Sequence, residues 1–437
     1  MKDRPRKLFN PHFLLLWQGQ FVSQIGTQAF VIAMMYWTME ATGSATLMGV
    51  LMMLSMLPGI LLAPLGGAVA DRFSRKFIII VSDLIAGVGV VAVALLFYHA
   101  SEHTNLLLTG LVLIAVTNGV IQAFFRPAIL AAIPDLVPTE KVTAANSMNQ
   151  FSFQFSSVLG QSTGGVLYAF LGAPLLFLID GLTFLFSGIS ESFIRIPQHR
   201  VERAEGLSST LSSLHRELIE GLRYVWHWKG MRDFMLLVSL VHFFAMPFIV
   251  LMPFFVETRL GGGSDWYGYL MAGFSGGSII GYASAAAFTP SPRYRSLVLL
   301  GFLAAGGSLF GVLGFIEVRI LALLTIILAG AFLGVFSINV MTVFQVATRG
   351  ELRGRVMGLV MTLTNAASPL GMVVGGILGD LSGKNIPLIY GICSAMIVAV
   401  VFLVGFRPSV REYLTFDPRR PDLASGASGQ SNLETHS

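Results

Sequence analysis

"GGAVADRFSRK", residues Gly66–Lys76, places Asp71, Arg72, Arg75 and Lys76 within six positions. The residues before it read "LMMLSMLPGILLAPL" and those after it "FIIIVSDLIAGVGVVAVALLF". Roughly 20 apolar residues suffice for a helix to cross a bilayer. A charged turn between two runs of that length is a hairpin that surfaces at a membrane face.

The same alternation fills the chain. Of 437 residues, 54% are hydrophobic and 12% charged, against about 25% charged in a soluble domain. The mean hydropathy is +0.74. Bilayer-length apolar stretches, numbered here as spans 1–12, cover about 13–37, 46–69, 77–98, 105–125, 146–171, 175–194, 232–256, 266–288, 297–316, 320–344, 356–378 and 386–406. The reading is an all-α membrane protein with twelve transmembrane helices. Span 1 is too long for a removable leader, so none is expected. With both termini cytoplasmic, 25 Lys and Arg fall on the inner side, leaving only Arg259, Arg319 and Lys384 outside. That bias sets orientation. It also accounts for a pI near 9.4 through an anionic inner leaflet, without invoking nucleic acid. The single Cys393 excludes an intrachain disulfide.

The chain divides into a first six-helix bundle at 1–194, a polar linker at 195–230, a second bundle at 231–410 and a tail at 411–437. The linker has helical apolar spacing from Leu211 to Trp228, as in an amphipathic helix on the inner surface. The tail is rich in Pro, Ser, Gly and Asp and is expected to be disordered. "GQSTGGVL" at Gly160–Leu167 repeats as "GMVVGGIL" at Gly371–Leu378, offset by 211. "TGSATLMG" at Thr42–Gly49 echoes "GGGSDWYG" at Gly261–Gly268. Two pseudo-symmetric bundles of parallel orientation are a transporter architecture, with substrate held between them.

Small residues recur every fourth position in spans 2, 5, 8 and 11. They include Gly67, Gly160 and Gly164, then Gly273, Gly277 and Gly281, then Gly371 and Gly375. Such ladders let membrane helices approach closely, and they are assigned to the contact between bundles. Polar stripes mark other faces: Gln20, Gln24 and Gln28 in span 1, Asn118, Gln122 and Arg126 in span 4, Gln154 in span 5, and Asn339 and Thr342 in span 10. Polar faces inside a bilayer are costly unless they line water or one another. Together with His242 in span 7 they are assigned to a shared aqueous cavity.

The opening stretch resembles the loop 2–3 signature of the major facilitator superfamily, which is Gly, three residues, Asp-Arg, two residues and Arg-Arg/Lys. Ser74 stands where that family often has Gly. The resemblance runs from about 10 to 408. "LLWQGQFVSQIG", "AFFRPAILAAIPDLVPTEKVTAANSM", "LIDGLTFL", "EGLRYVW" and "ELRGRVMGL" look like its macrolide-efflux and enterobactin-exporter branch. The resemblance implies a major facilitator fold and a proton-driven exporter of drugs and amphiphiles. It implies a cavity lined by spans 1, 4, 7 and 10. The charged loop itself, Gly67, Asp71, Arg72, Arg75 and Lys76, reads as a latch between the halves, with Asp71 on the positive N-terminal end of span 11. Two family features are missing. Asn118 stands near the place of the span 4 arginine, and the span 5 motif reads "GQSTGG" without proline. The acids left as proton-coupling candidates are Asp180, Asp83 and Glu257.

Two other matches are set aside. "GFSGG" at Gly273–Gly277 lies in a glycine-laddered span, not on the strand-to-helix turn of a hydrolase nucleophile. "GDLSGK" at Gly379–Lys384 is one residue short of a phosphate loop and lacks the hydroxyl residue after Lys384. The expectation is a non-enzymatic, monomeric transporter of the bacterial inner membrane with no cofactor and no metal. It exports amphipathic small molecules against protons. The alternative is a facilitator or flippase for lysolipid-like molecules or siderophores.

Overall fold

The computed structural model describes residues 7–196, 223, 226–287, 292–347, 360 and 362–415. Helix ends are set by local chemistry. Asn10 caps α1 (Pro11–Thr42), its Oδ1 accepting from the Phe13 amide at 3.0 Å, with Pro11 in the first turn. Gly43, at φ 61°, closes that helix in the left-handed region, where glycine carries no Cβ penalty. Ser44 then caps α2 (Ala45–Arg72), so two residues reverse the chain. Ser74 caps α3 (Arg75–His99), and α4 (Thr104–Leu136) follows. The helical run Val142–Ser192 is broken at Gly172, whose φ of 69° and ψ of 175° fit no helix. It comprises two helices, α5 (142–171) and α6 (173–192), which matches the expected boundary between spans 5 and 6.

The second half holds α7 (Lys229–Thr258), α8 (Ser264–Ala287), α9 (Pro292–Leu313), α10 (Arg319–Ala347), α11 (Ser368–Leu381) and α12 (Ile386–Val400). One wide turn, Val401–Gly405, extends α12, and the short α13 (Pro408–Leu414) ends the described chain. The beginning of the tail is therefore ordered. Val410, Tyr413 and Leu414 are buried, with Tyr413 packed on Trp228, Phe234 and Phe344. Apolar burial here offsets the ordering entropy that the polar composition of the tail leaves unopposed. Most of the linker, including 211–222, and the entry to span 11 at 351–359 lie outside the described residues.

Among the described residues, eight helical segments are long and apolar enough to cross a membrane. One of these, Thr139–Ser192, contains both α5 and α6. Two helices of sufficient length, α1 and α8, are not in that set. Glutamines dilute the first and glycines the second. Large apolar side chains such as Val88, Leu113, Phe170 and Leu403 stay exposed, as a hydrocarbon surround favours.

The described chain forms two compact units. One contains the first half together with Val250–Ala272 and Met372–Lys384. The other contains Gly273–Gly371, α7 up to Ile249 and the residues from Asn385 onward.

Candidate functional site

Inside the first unit, α1 and α6 pack through matched seven-residue steps. A Cβ at Gly19 would stand 2.8 Å from Ser187 Oγ, and one at Gly26 would stand 2.6 Å from Asp180 Oδ1. The absent side chains make the room that the polar groups of α6 occupy. Helix α3 closes the other side, with the Cβ of Asp83 3.3 Å from the Cβ position of Gly188. The resulting seam holds Asp83, Asp180 and Glu191, each 1% exposed, with Ser187 at 0%. From Asp180 to Glu191 it runs about 16 Å at the usual helical rise.

The seam is short of donors. Gln20 Nε2 donates to Glu191 Oε1 at 2.8 Å. Asp83, Ser187 and Glu191 are near neighbours, and Ser187 Oγ is buried without a hydrogen-bond partner. Asp83 Oδ2, Glu191 Oε2 and both Asp180 oxygens are buried without a donor. None of the three acids forms an ion pair among the described residues. An ionised carboxylate at such depth costs about 2.5–3.5 kcal/mol on insertion scales. Two close carboxyls therefore suit a shared proton better than two charges. Sequence reasoning missed Glu191 because it lies at the end of span 6. The signal was the helical spacing of Asp180, Phe184, Ser187 and Glu191, which puts all four on one face.

Only some members of the polar stripes reach a neighbouring helix. Gln20 is turned into the seam, and Gln28 Oε1 accepts from Gln161 of α5 at 3.2 Å. Gln24 and Asn118 each bury an oxygen without a partner. Gln122 and Gln154 are exposed, and the Arg126 guanidinium lies 5.4 Å over the Phe153 ring. In the second unit His242, Asn339 and Thr342 each bond a carbonyl one turn back on their own helix. Glu257 is exposed at the end of α7.

The glycine ladders face partners within their own halves. Gly160 and Gly164 meet Gln28 and Ala29 of α1. Gly273, Gly277 and Gly281 meet Leu323, Ile327 and Ala331 of α10, and Gly371 meets Phe243 and Met246 of α7. Gly375 is buried on α11. Spacing marks a close crossing but does not name the partner. Within the first unit, the glycines that join the two halves of the chain are neighbours of these. Gly165 meets Ser264 and Gly268, Gly49 meets Met372, and Gly376 meets Ala45 and Thr46.

At that last crossing Asp380 of α11 sits on the N-terminus of α2. Its carboxylate accepts from Ser44 Oγ at 2.8 Å and from the Ala45 and Thr46 amides at 2.9 Å each. This is the aspartate of the "GDLSGK" stretch that falls short of a phosphate loop.

The charged turn is partly tied inside the first half. Arg75 Nη1 bonds Asp135 Oδ2 at 2.6 Å and Ala131 O at 2.9 Å, and Lys76 Nζ donates to Ser192 O at 2.6 Å. Arg72 ends α2. The Asp71 side chain lies outside the described residues. Among those residues a Cβ at Gly67 would meet nothing, whereas Gly66 is the one pressed against Ala123 of α4. No group of three or more His, Cys, Asp or Glu among the described residues could hold a metal ion.

Known proteins are similar in sequence over most of the chain. Macrolide efflux protein A of Streptococcus pyogenes is 26% identical over 376 residues, covering 85% of this chain and 90% of its own length. Multidrug efflux pump Tap of Mycolicibacterium fortuitum is 25% identical over 412 residues, covering 91% and 96%. The crystal structure of a mutant of the nucleoside transporter NupG superposes with a TM-score of 0.69 over 91% of this chain and 100% of its own, at 13% identity, which speaks for the fold alone. The family model "Major Facilitator Superfamily" matches residues 16–368. A multi-pass helical chain that matches that model over most of its length is a membrane transporter and not an enzyme: it belongs to the major facilitator superfamily.

Proposed function

We propose that the chain is a secondary active exporter of drug-like, amphipathic small molecules, driven by protons and working by alternating access. Twelve spans would cross the bacterial inner membrane with both termini in the cytoplasm, and the protein would act as a monomer. The observation that carries this reading is the near full-length similarity to two proteins named for efflux. The 25-to-3 division of Lys and Arg supports the orientation.

Proton coupling rests on the seam between α1, α3 and α6. Its three buried acids have too few donors, and none forms an ion pair among the described residues. Asp180 and Asp83 remain the coupling candidates, with Glu191 added as the partner of Asp83. Glu257 is the weaker choice because it is exposed. Substrate contact is assigned to the exposed Gln122, Gln154 and Thr342 and to Arg126. The inner latch is assigned to Asp71 acting on the start of span 11.

Purified protein in proteoliposomes tests the reading. A macrolide or a cationic dye should accumulate against its gradient only when a pH gradient is imposed. Equilibration without accumulation would favour a facilitator. No movement of any amphiphile would overturn transport of this substrate class.

A further inference from the structure

We propose that Asp380 is an outer gate residue, whose carboxylate clasps the N-terminus of α2 and releases it each time the ends of α2 and α11 part. Three donors converge on one side chain, namely the Ser44 hydroxyl and the amides of Ala45 and Thr46. These two amides belong to the first turn of α2 and have no partner within their own helix.

The position of Asp380 in its own helix argues the same way. It stands in the last turn of α11 (Ser368–Leu381), where a negative charge opposes the helix dipole. Nothing in α11 rewards an aspartate there. The positive end of α2 does. The approach is prepared by glycine on both sides, since a Cβ at Gly49 would run into Met372 and one at Gly376 into Ala45. Lys384, at φ 62°, holds the following turn, with Nζ 5.0 Å over the Phe254 ring.

The repeat does not conserve the aspartate. At the repeat offset of 211 the counterpart of Asp380 is Ala169. The matching crossing of α5 and α8 is made by Gly165 against Ser264 and Gly268, with Tyr36 edge-on to Tyr267 at 5.7 Å. Among the described residues, one crossing carries a directional ionic cap and the other shows glycine and aromatic packing. The tied crossing must break its bonds to open.

The test is a distance measurement on the full chain in lipid nanodiscs. Spin labels are placed at Ser101→Cys and Val318→Cys, two exposed loop positions, with the buried Cys393 replaced by serine. Pulsed electron resonance then reads the populations of short and long separations. Asp380→Ala should raise the long-distance population several-fold, and Ser44→Ala, which removes one donor of three, should raise it less. Distances identical to the parent in a monodisperse Asp380→Ala protein would overturn the proposal. Should Asp380→Ala not fold, an unchanged distribution in Ser44→Ala would overturn it equally. The reading needs alternating access but not proton coupling, and the labels report opening whether or not a pH gradient drives transport.

Discussion

Asp380 accepts three hydrogen bonds at 2.8–2.9 Å and keeps some contact with solvent, whereas Asp180 is 1% exposed and neither of its oxygens has a donor. Both are aspartates on helices of the first compact unit. The difference is one of supply. A carboxylate on a helix N-terminus is paired with amides that need an acceptor, each charge-assisted bond contributing about 1.5–3 kcal/mol. A carboxyl packed into a glycine slot between two helices has only the proton to satisfy it. The first arrangement favours a fixed charge and hence a lock. The second favours a group that gains and loses a proton.

The sign of the pH effect separates them further. Burial alone would raise the Asp380 carboxyl, but the Thr46 and Ala45 amides and the Ser44 hydroxyl outweigh it and hold it below the usual aspartate range. A carboxyl held low keeps its tie above the ordinary value and loses it only as the pH falls through the lowered one. Between about pH 5 and pH 8 the clasp is constant.

Replacing a seam acid should have the largest effect. Asp180→Asn should retain substrate binding and downhill exchange while gradient-driven accumulation is lost. Uphill pumping at the parent rate would pass the coupling role to the Asp83–Glu191 pair. Gly376→Leu comes next, because the branched side chain would strike the backbone of Ala45 and Thr46. Overpacking of about 1–3 kcal/mol predicts roughly a tenfold or greater fall in transport, checked at matched expression. Parent-level transport would show that this crossing is loose. Gly26→Ala should act more mildly, moving the pH profile of transport rather than its maximum, since the new methyl would press on Asp180 Oδ1. A lowered maximum with an unmoved profile would make that slot purely structural. The smallest change is expected from Arg75→Ala. It breaks a partly exposed ion pair to Asp135, which is worth at most about 1 kcal/mol of stability in a thermal-denaturation assay.

The residues that repeat are the easiest to read. The turn between spans 5 and 6 is legible because "FLGAP" interrupts the apolar run, and Gly172 supplies the conformation that turn requires. The ladders announce close crossings, but the i, i+4 pattern is the same whichever helix fills the groove. Gly160 therefore reads as an inter-bundle residue and faces α1 instead. Gln20 reads as a cavity residue because a sequence shows a polar face but not the Glu191 that meets it from 171 positions away. Asp380 is hidden for a related reason, since the Ala45 amide it accepts from lies 335 residues earlier in the chain. Long-range partners of this kind are set by packing, which leaves no periodic trace.

The most direct measurement is substrate accumulation in proteoliposomes as a function of the imposed pH gradient, for the parent, Asp180→Asn and Asp380→Asn. Asp180→Asn should abolish dependence on the gradient. Asp380→Asn should preserve the steepness of that dependence and alter only the rate. A steep gradient response in Asp180→Asn, together with a flat one in Asp380→Asn, would contradict the assignment of proton and lock to these two sites.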